Sequence, residues 1–181
     1  NLYWFKKWDR VFTDNNKNGK WFDGAKINIT SNCLDIHLNT WRRNKAAIIW
    51  EGESGEIKAI TYQALYNQVC RLANSLKKNG IKKGDRVIIY MGMTPELAIS
   101  MLACARIGAV HVVVHSGLNA GALKKRILDS SAKMIITCDA AFKRGSKVFL
   151  KKIADEIINE CPLVKKVIVY KRFSEYQSEL N

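Results

Sequence analysis

The sequence predicts an α/β fold: a mostly parallel sheet with helices on both faces, preceded by an irregular N-terminal segment and a β-hairpin. Three observations carry that prediction. Four short apolar runs, Val87–Tyr90, Val110–Val114, Met134–Thr137 and Val167–Tyr170, show no polar alternation, as strands buried on both faces do. Segments with helical spacing separate them, the order of βαβ units. Met101–Gly108 followed by Ala109-Val110-His111 is a small-residue helix end, a glycine stop and a buried strand in succession, a helix-to-strand joint.

Residues 1–45 form an extension expected to pack on the body. Trp4, Phe5, Trp8, Phe12, Trp21 and Phe22 are spaced through polar sequence, suited to filling grooves. Asp14-Asn15-Asn16-Lys17-Asn18-Gly19 reads as a loop, and Asn32–Trp41 as a short helix with Leu34 and Leu38 on one face. The body spans 46–172. It opens with a hairpin, Ala46–Trp50 and Ile57–Ile60, around Glu53-Ser54-Gly55. Thr61 is placed as a helix N-cap, followed by Leu65, Val69, Leu72, Ala73 and Leu76 on one face and a stop at Gly80. Lys82-Lys83-Gly84-Asp85 turns the chain into the first sheet strand. Pro95 and Glu96 suit a first helical turn. Helices are then predicted over Gly121–Ser131 and Leu150–Asn159, each leading into a strand. Crossovers in such a sheet are right-handed. Residues 173–181 read as a frayed polar tail.

The 181 residues are 48% hydrophobic, which supports a real core rather than global disorder. No run approaches the roughly 18 apolar residues of a membrane helix. Asn1–Arg10 lacks both an initiator Met and an apolar signal region, so the chain is expected to be a piece of a longer polypeptide. Five cysteines, at 33, 70, 104, 138 and 161, include no C-x-x-C pair. They read as free thiols in a reducing compartment, and with His37, His111 and His115 distant from any cysteine pair, no metal site is assigned. The formal charge of +14 fits either a polyanionic partner or a lysine-rich composition. Lysines outnumber arginines 21 to 9 and fall in scattered pairs, with no arginine-rich helix, which favours composition over specific nucleic-acid binding.

No P-loop, dinucleotide fingerprint or nucleophile elbow is present. His111 and His115 share a strand face but stand about 13 Å apart, too far for one metal ion. His111 is expected to be a packed, hydrogen-bonded core histidine. His115-Ser116-Gly117 lies at the carboxyl end of a strand, where ligands gather in open α/β sheets; it reads as a ligand turn or as an ordinary βα turn. Lys143-Arg144-Gly145-Ser146-Lys147 clusters three cations around a glycine ahead of a helix. It reads as a phosphate site aided by the helix N-terminus, or as a solvated basic loop.

The helix-to-strand joint, Asn32-Cys33-Leu34-Asp35-Ile36-His37-Leu38 and Ala47-Ile48-Ile49-Trp50-Glu51-Gly52-Glu53 together resemble the amino-terminal region of AMP-forming acetyl-CoA synthetases, in the acyl-adenylate-forming superfamily. The resemblance covers nearly the whole chain. Met91-Gly92-Met93-Thr94-Pro95-Glu96 is similar to the family's Met-Pro-Met-x-Pro-Glu, with Gly92 in place of a proline. The resemblance implies part of the large subdomain of the adenylate-forming fold. It also implies an acetate–CoA ligase that makes acetyl-CoA from acetate, ATP and CoA through acetyl-adenylate.

Two family loops that contact CoA fall on His115-Ser116-Gly117 and Lys143-Arg144-Gly145-Ser146, the second at the CoA 3′-phosphate. Both glycines match. His115 stands where the family has an aromatic, Lys143 for an arginine, and Ser146 for a basic residue, with Arg144 and Lys147 nearby to supply charge. The ATP loop, acetate-pocket tryptophan and catalytic lysine lie further along the family's chain. No catalytic residue is therefore assigned, ATP and Mg2+ would bind elsewhere, and this piece alone is expected to be inactive. Implied partners are small-molecule substrates and the remainder of the polypeptide, with no membrane, in the cytoplasm or in a nuclear or organellar pool. A propionyl-CoA synthetase shares these motifs, and a non-catalytic CoA- or phosphate-binding module remains an alternative.

Overall fold

The computed structural model describes residues 2–14 and 19–173. Ring contacts, rather than periodicity, organise its start. Strands β1 (Arg10–Thr13) and β2 (Lys20–Asp23) pair antiparallel, and Phe22 lies 5.2 Å from Trp4 and 5.1 Å from Trp8, centroid to centroid. The segment read as irregular thus contains a hairpin. Its strands are too short and too exposed to show an alternating pattern, and aromatic packing replaces a buried face. Most of the loop expected over 14–19 lies outside the described residues.

A π-helical turn, Ser31–Asp35, runs on into α1 (Ile36–Leu38), so the predicted helix begins one residue earlier and ends three residues sooner than expected. Two contacts tie this segment to the body. Asn28 Nδ2 donates to the carbonyls of Ala105 and Arg106 at 3.0 and 3.3 Å, and Arg106 pairs with Asp35 at 2.9 Å.

Strands β3 (Ala46–Glu51) and β4 (Ile57–Thr61) form the predicted hairpin as a separate two-stranded sheet. Helix α2 (Tyr62–Lys78) follows, with the Thr61 hydroxyl accepting the Ala64 N–H at 3.2 Å. It buries Leu65, Val69, Ala73 and Leu76, and Gly80 ends it at a φ of 89°.

The central elements are β5 (Arg86–Met91), α3 (Pro95–Arg106), β6 (Val110–His115), α4 (Ala120–Ser130) and β7 (Met134–Cys138). Then come a second small hairpin, β8 (Ala141–Lys143) and β9 (Ser146–Val148), then α5 (Leu150–Asp155) and β10 (Lys166–Tyr170). The four strands β10-β7-β5-β6 lie side by side in that order, all parallel. Val87 pairs with His111 on one side and Met134 on the other. The first crossover leaves β5 toward β6, and the second returns past β5 to β7. With right-handed connections these opposite directions put α3 and α4 on opposite faces. Helix α2 packs with α3, and α5 with α4. Coverage on both sides explains why Val87, Ile88, Ile89 and Tyr90 are fully buried.

Three local expectations change. The helix read over Leu150–Asn159 stops at Asp155 and resumes as a 3-10 turn, Ile158–Glu160. Its ladder tightens where the N–H groups of Ile157 and Glu160 donate three residues back. His111 is half-buried rather than packed in the core, because β6 is the sheet's edge and leaves Val110 and Val113 exposed, and its ring makes no hydrogen bond among the described residues. Of the expected tail, Phe173 is fixed by its N–H to Asp139 at 2.9 Å; 174–181 lie outside the described residues. All five cysteines are free: Cys104, Cys138 and Cys161 are buried, Cys70 is half-buried and Cys33 exposed.

Candidate functional site

The chain reverses direction across the sheet at β5, with β6 on one side and β7 on the other. Such a switch opens a crevice at the strands' carboxyl ends. The turns after β5, β6 and β7 meet there around a cavity of about 310 Å³. Gly92, Met93, His115, Ser116, Lys143, Arg144 and Arg172 line it, together with Trp50 and the acidic hairpin residues.

The turn after β6 is tightly folded. Gly117 N–H donates to His115 Nδ1 at 3.0 Å, so the ring N–H sits on Nε2. The Tyr90 hydroxyl donates to the Leu118 carbonyl at 2.7 Å. The Asn119 side chain then caps α4 by accepting the Ala122 N–H at 2.9 Å. A Cβ on Gly117 would lie 2.7 Å from His115 Cε1 and 2.9 Å from Lys143 Nζ. Glycine here permits the close approach of the two turns.

The basic run is not a loop ahead of a helix but the tip of the β8–β9 hairpin. Lys143 pairs with Ser146, and Arg144 and Gly145 form a two-residue turn with φ of 51° and 76°, the geometry of a type I′ turn. Helix α5 starts only at Leu150 and has six residues. Its N-terminus therefore adds no field at Lys143–Gly145, contrary to the sequence expectation.

Of the eight residues singled out by sequence, His115, Ser116, Lys143 and Arg144 line the cavity. Gly117 abuts Lys143, and Gly145 closes the turn. Ser146 and Lys147 do not line it; Lys147 Nζ lies 4.7 Å from the centre of the Phe173 ring.

The model for the AMP-binding enzyme family matches residues 35–181, and that for the acetyl-coenzyme A synthetase N-terminus matches residues 1–33. The chain belongs to the AMP-binding enzyme family. It is 54% identical over 170 residues to the acetyl-coenzyme A synthetase of Chlorobaculum tepidum, covering 94% of this chain and 26% of that one. It is 48% identical over 170 residues to that of Methanothrix thermoacetophila, covering 93% and 26%. Among solved structures, the acetoacetyl-CoA synthetase from Streptomyces lividans superposes with a TM-score of 0.86 at 25% identity, over 93% of this chain and 26% of that one. The chain thus spans about a quarter of the length of the curated relatives it matches.

In this member of the AMP-binding enzyme family, sequence reasoning missed the cavity's third cation. Arg172 follows β10, with its side chain only 10% exposed. Its guanidinium lies 5.4 Å from the Trp50 ring centre and 5.5 Å from that of Phe142. The available signal was position, since Arg172 too lies just past the carboxyl end of a sheet strand. Trp50 joins the site because its Nε1–H donates to the Met93 carbonyl at 2.7 Å, which fastens the β3–β4 hairpin to the turn after β5. No helix among the described residues is long and apolar enough to cross a membrane.

Proposed function

We propose that this chain is the amino-terminal part of an acetate–CoA ligase, which forms acetyl-CoA from acetate, ATP and CoA through acetyl-adenylate. In that reaction the acetate oxygen attacks the α-phosphorus of ATP and pyrophosphate leaves. The CoA thiol then attacks the acetyl carbonyl, and AMP leaves. The described residues supply scaffold and a seat for the CoA phosphate, not the adenylation groups. ATP and Mg2+ are assigned to the rest of a longer polypeptide, because the family's ATP loop and catalytic lysine lie further along its chain. The five free thiols fit a reducing compartment such as the cytoplasm.

The single observation that carries the reading is the close approach of Gly117 to Lys143, where His115, Ser116 and Lys143 line one cavity at the sheet's carboxyl rim. A phosphate there would find the Lys143 ammonium and the Arg144 and Arg172 guanidiniums. Lysine offers a point charge where an arginine would offer a fork, so the contact is charge-driven rather than bidentate.

The test is calorimetric titration of the chain with CoA and with dephospho-CoA. CoA is expected to bind tighter, and Lys143→Ala to lose about tenfold in affinity for CoA alone. Equal affinities for the two ligands would overturn the reading. The 181-residue chain by itself is expected to give no acetate-dependent ATP–pyrophosphate exchange; measurable exchange would show adenylation groups within it.

A further inference from the structure

The β3–β4 tip delivers carboxylates to the donors of the basic rim. Glu53 Oε1 accepts the Gly145 N–H. Three residues on, Glu56 Oε2 accepts from Arg172 Nη2 at 3.2 Å. The two donors belong to different elements, one at the β8–β9 turn and one past β10. A main-chain N–H in a turn with positive φ and a guanidinium fork are both groups that phosphate oxygens take.

The tip is built as a unit. Gly52 N–H donates to the Glu56 carbonyl at 2.7 Å, and Gly55 N–H to the Gly52 carbonyl at 2.9 Å. Ser54 Oγ donates to Glu56 Oε1 at 3.1 Å, orienting that carboxylate. Its base is fastened by the Trp50–Met93 hydrogen bond at 2.7 Å. Glu56 is half-exposed, and Glu53 is exposed beside the cavity it lines. Both carboxylates can therefore return to water at modest cost once a ligand phosphate takes their donors, the poorly exposed Arg172 among them.

We propose that Glu53 and Glu56 form an internal anion, seated in the unliganded chain on donors that a ligand phosphate takes over, and that they set the site's specificity. A ligand must bring enough negative charge to displace two carboxylates. A terminal phosphate dianion does so; a ligand ending in a hydroxyl at that position does not. This rests on the reading of the rim as a CoA-phosphate seat.

The test uses Glu53→Gln and Glu56→Gln in the 181-residue chain, titrated with pyrophosphate, CoA and dephospho-CoA at fixed ionic strength. The Gly145 amide resonance is followed throughout. Each variant is expected to bind pyrophosphate and CoA about two- to fivefold tighter and to leave dephospho-CoA nearly unchanged. In Glu53→Gln the Gly145 amide is expected to shift before ligand is added. Glu51→Gln is the control: it removes the same charge from the cavity lining, and Glu51 makes no side-chain hydrogen bond among the described residues. Its effect should be smaller than that of Glu53→Gln. Unchanged, weaker or absent pyrophosphate binding in the Glu53 and Glu56 variants overturns the internal anion. So does an equal gain in Glu51→Gln. If pyrophosphate tightens as expected while CoA and dephospho-CoA bind alike, the internal anion stands and the CoA-phosphate reading falls.

Discussion

The Asp139 carboxylate holds the chain at Arg172. Its Oδ1 accepts the Arg172 N–H at 3.0 Å and its Oδ2 the Phe173 N–H at 2.9 Å, and Oδ1 also accepts the Ala140 N–H at 2.7 Å. Asp139 is 1% exposed. One buried carboxylate thus fixes the exit of β10 against the exit of β7, and so aims Arg172 at the basic hairpin. Asp139→Ala strands these N–H groups, each a hydrogen bond to a charged acceptor. The expected loss is about 3–5 kcal/mol of unfolding free energy. Asp139→Asn keeps an acceptor oxygen and should lose about 1–2 kcal/mol. Urea unfolding gives both values, and hydrogen exchange should show the Arg172 and Phe173 amides opening first.

Gly117→Ala tests the close approach of the two turns. The new methyl would meet the His115 ring and the Lys143 ammonium at 2.7–2.9 Å. Both are side-chain ends that can move, so the stability cost should stay under about 1 kcal/mol. Phosphate affinity should fall more than that, because Lys143 is the group displaced. Thermal unfolding beside pyrophosphate titration separates the two effects. An unchanged titration would mean that Lys143 can move without consequence.

The sheet was legible because β5, β6, β7 and β10 are apolar runs and the helices before and between them carry caps or stops that can be read locally, such as Thr61, Pro95 and Gly108. The β8–β9 hairpin was not. Each strand has three residues, too few for a period, and its turn is Arg144-Gly145 rather than the usual Asn-Gly or Asp-Gly. The candidate site was half legible for a related reason. Glycine and lysine mark the two turns in the sequence. Arg172, Glu53 and Glu56 reach the site only through the pairing of β10 with β7 and the docking of Trp50 on Met93. No local pattern encodes that assembly.

Asp85, in the turn before β5, predicts how the fold responds to acid. Lys133 Nζ lies 2.7 Å from its Oδ1, and its Oδ2 accepts the Lys82 N–H at 2.8 Å. The Lys133 hydrogen bond, then that main-chain donor, hold its carboxyl below the ordinary value of 3.8. A lowered native pKa stabilises the fold above the unfolded-state value, and that contribution is lost as pH falls through the native one. The stability gap between the native sequence and Asp85→Asn should therefore be full at neutral pH, begin to shrink near pH 3.8, and close as pH falls through the lower native value. Urea unfolding from pH 7 to pH 3 measures it. A gap that is constant across that range would remove Asp85 from the acid response.

Tyr90 governs the alkaline side and the turn at Gly117 together. Its ring is fully buried in β5 and its hydroxyl donates to the Leu118 carbonyl at 2.7 Å. Burial pushes the phenol from 10.0 up to about 12. A raised native pKa gives stability that is complete below the unfolded-state value and is lost as pH climbs through the native one. Tyr90's share should thus be intact to about pH 10 and decline toward pH 12. Tyr90→Phe removes that share of the decline and also leaves the Leu118 carbonyl without its donor. At neutral pH it should cost about 0.5–1.5 kcal/mol. Because Leu118 follows Gly117 directly, the same variant should loosen the turn that abuts Lys143 and weaken pyrophosphate binding. Unfolding curves at pH 7, 10 and 11.5 with a parallel pyrophosphate titration test both consequences. Weakened binding with an unchanged alkaline limb would keep Tyr90 as the anchor of the turn and assign the loss at high pH to other groups.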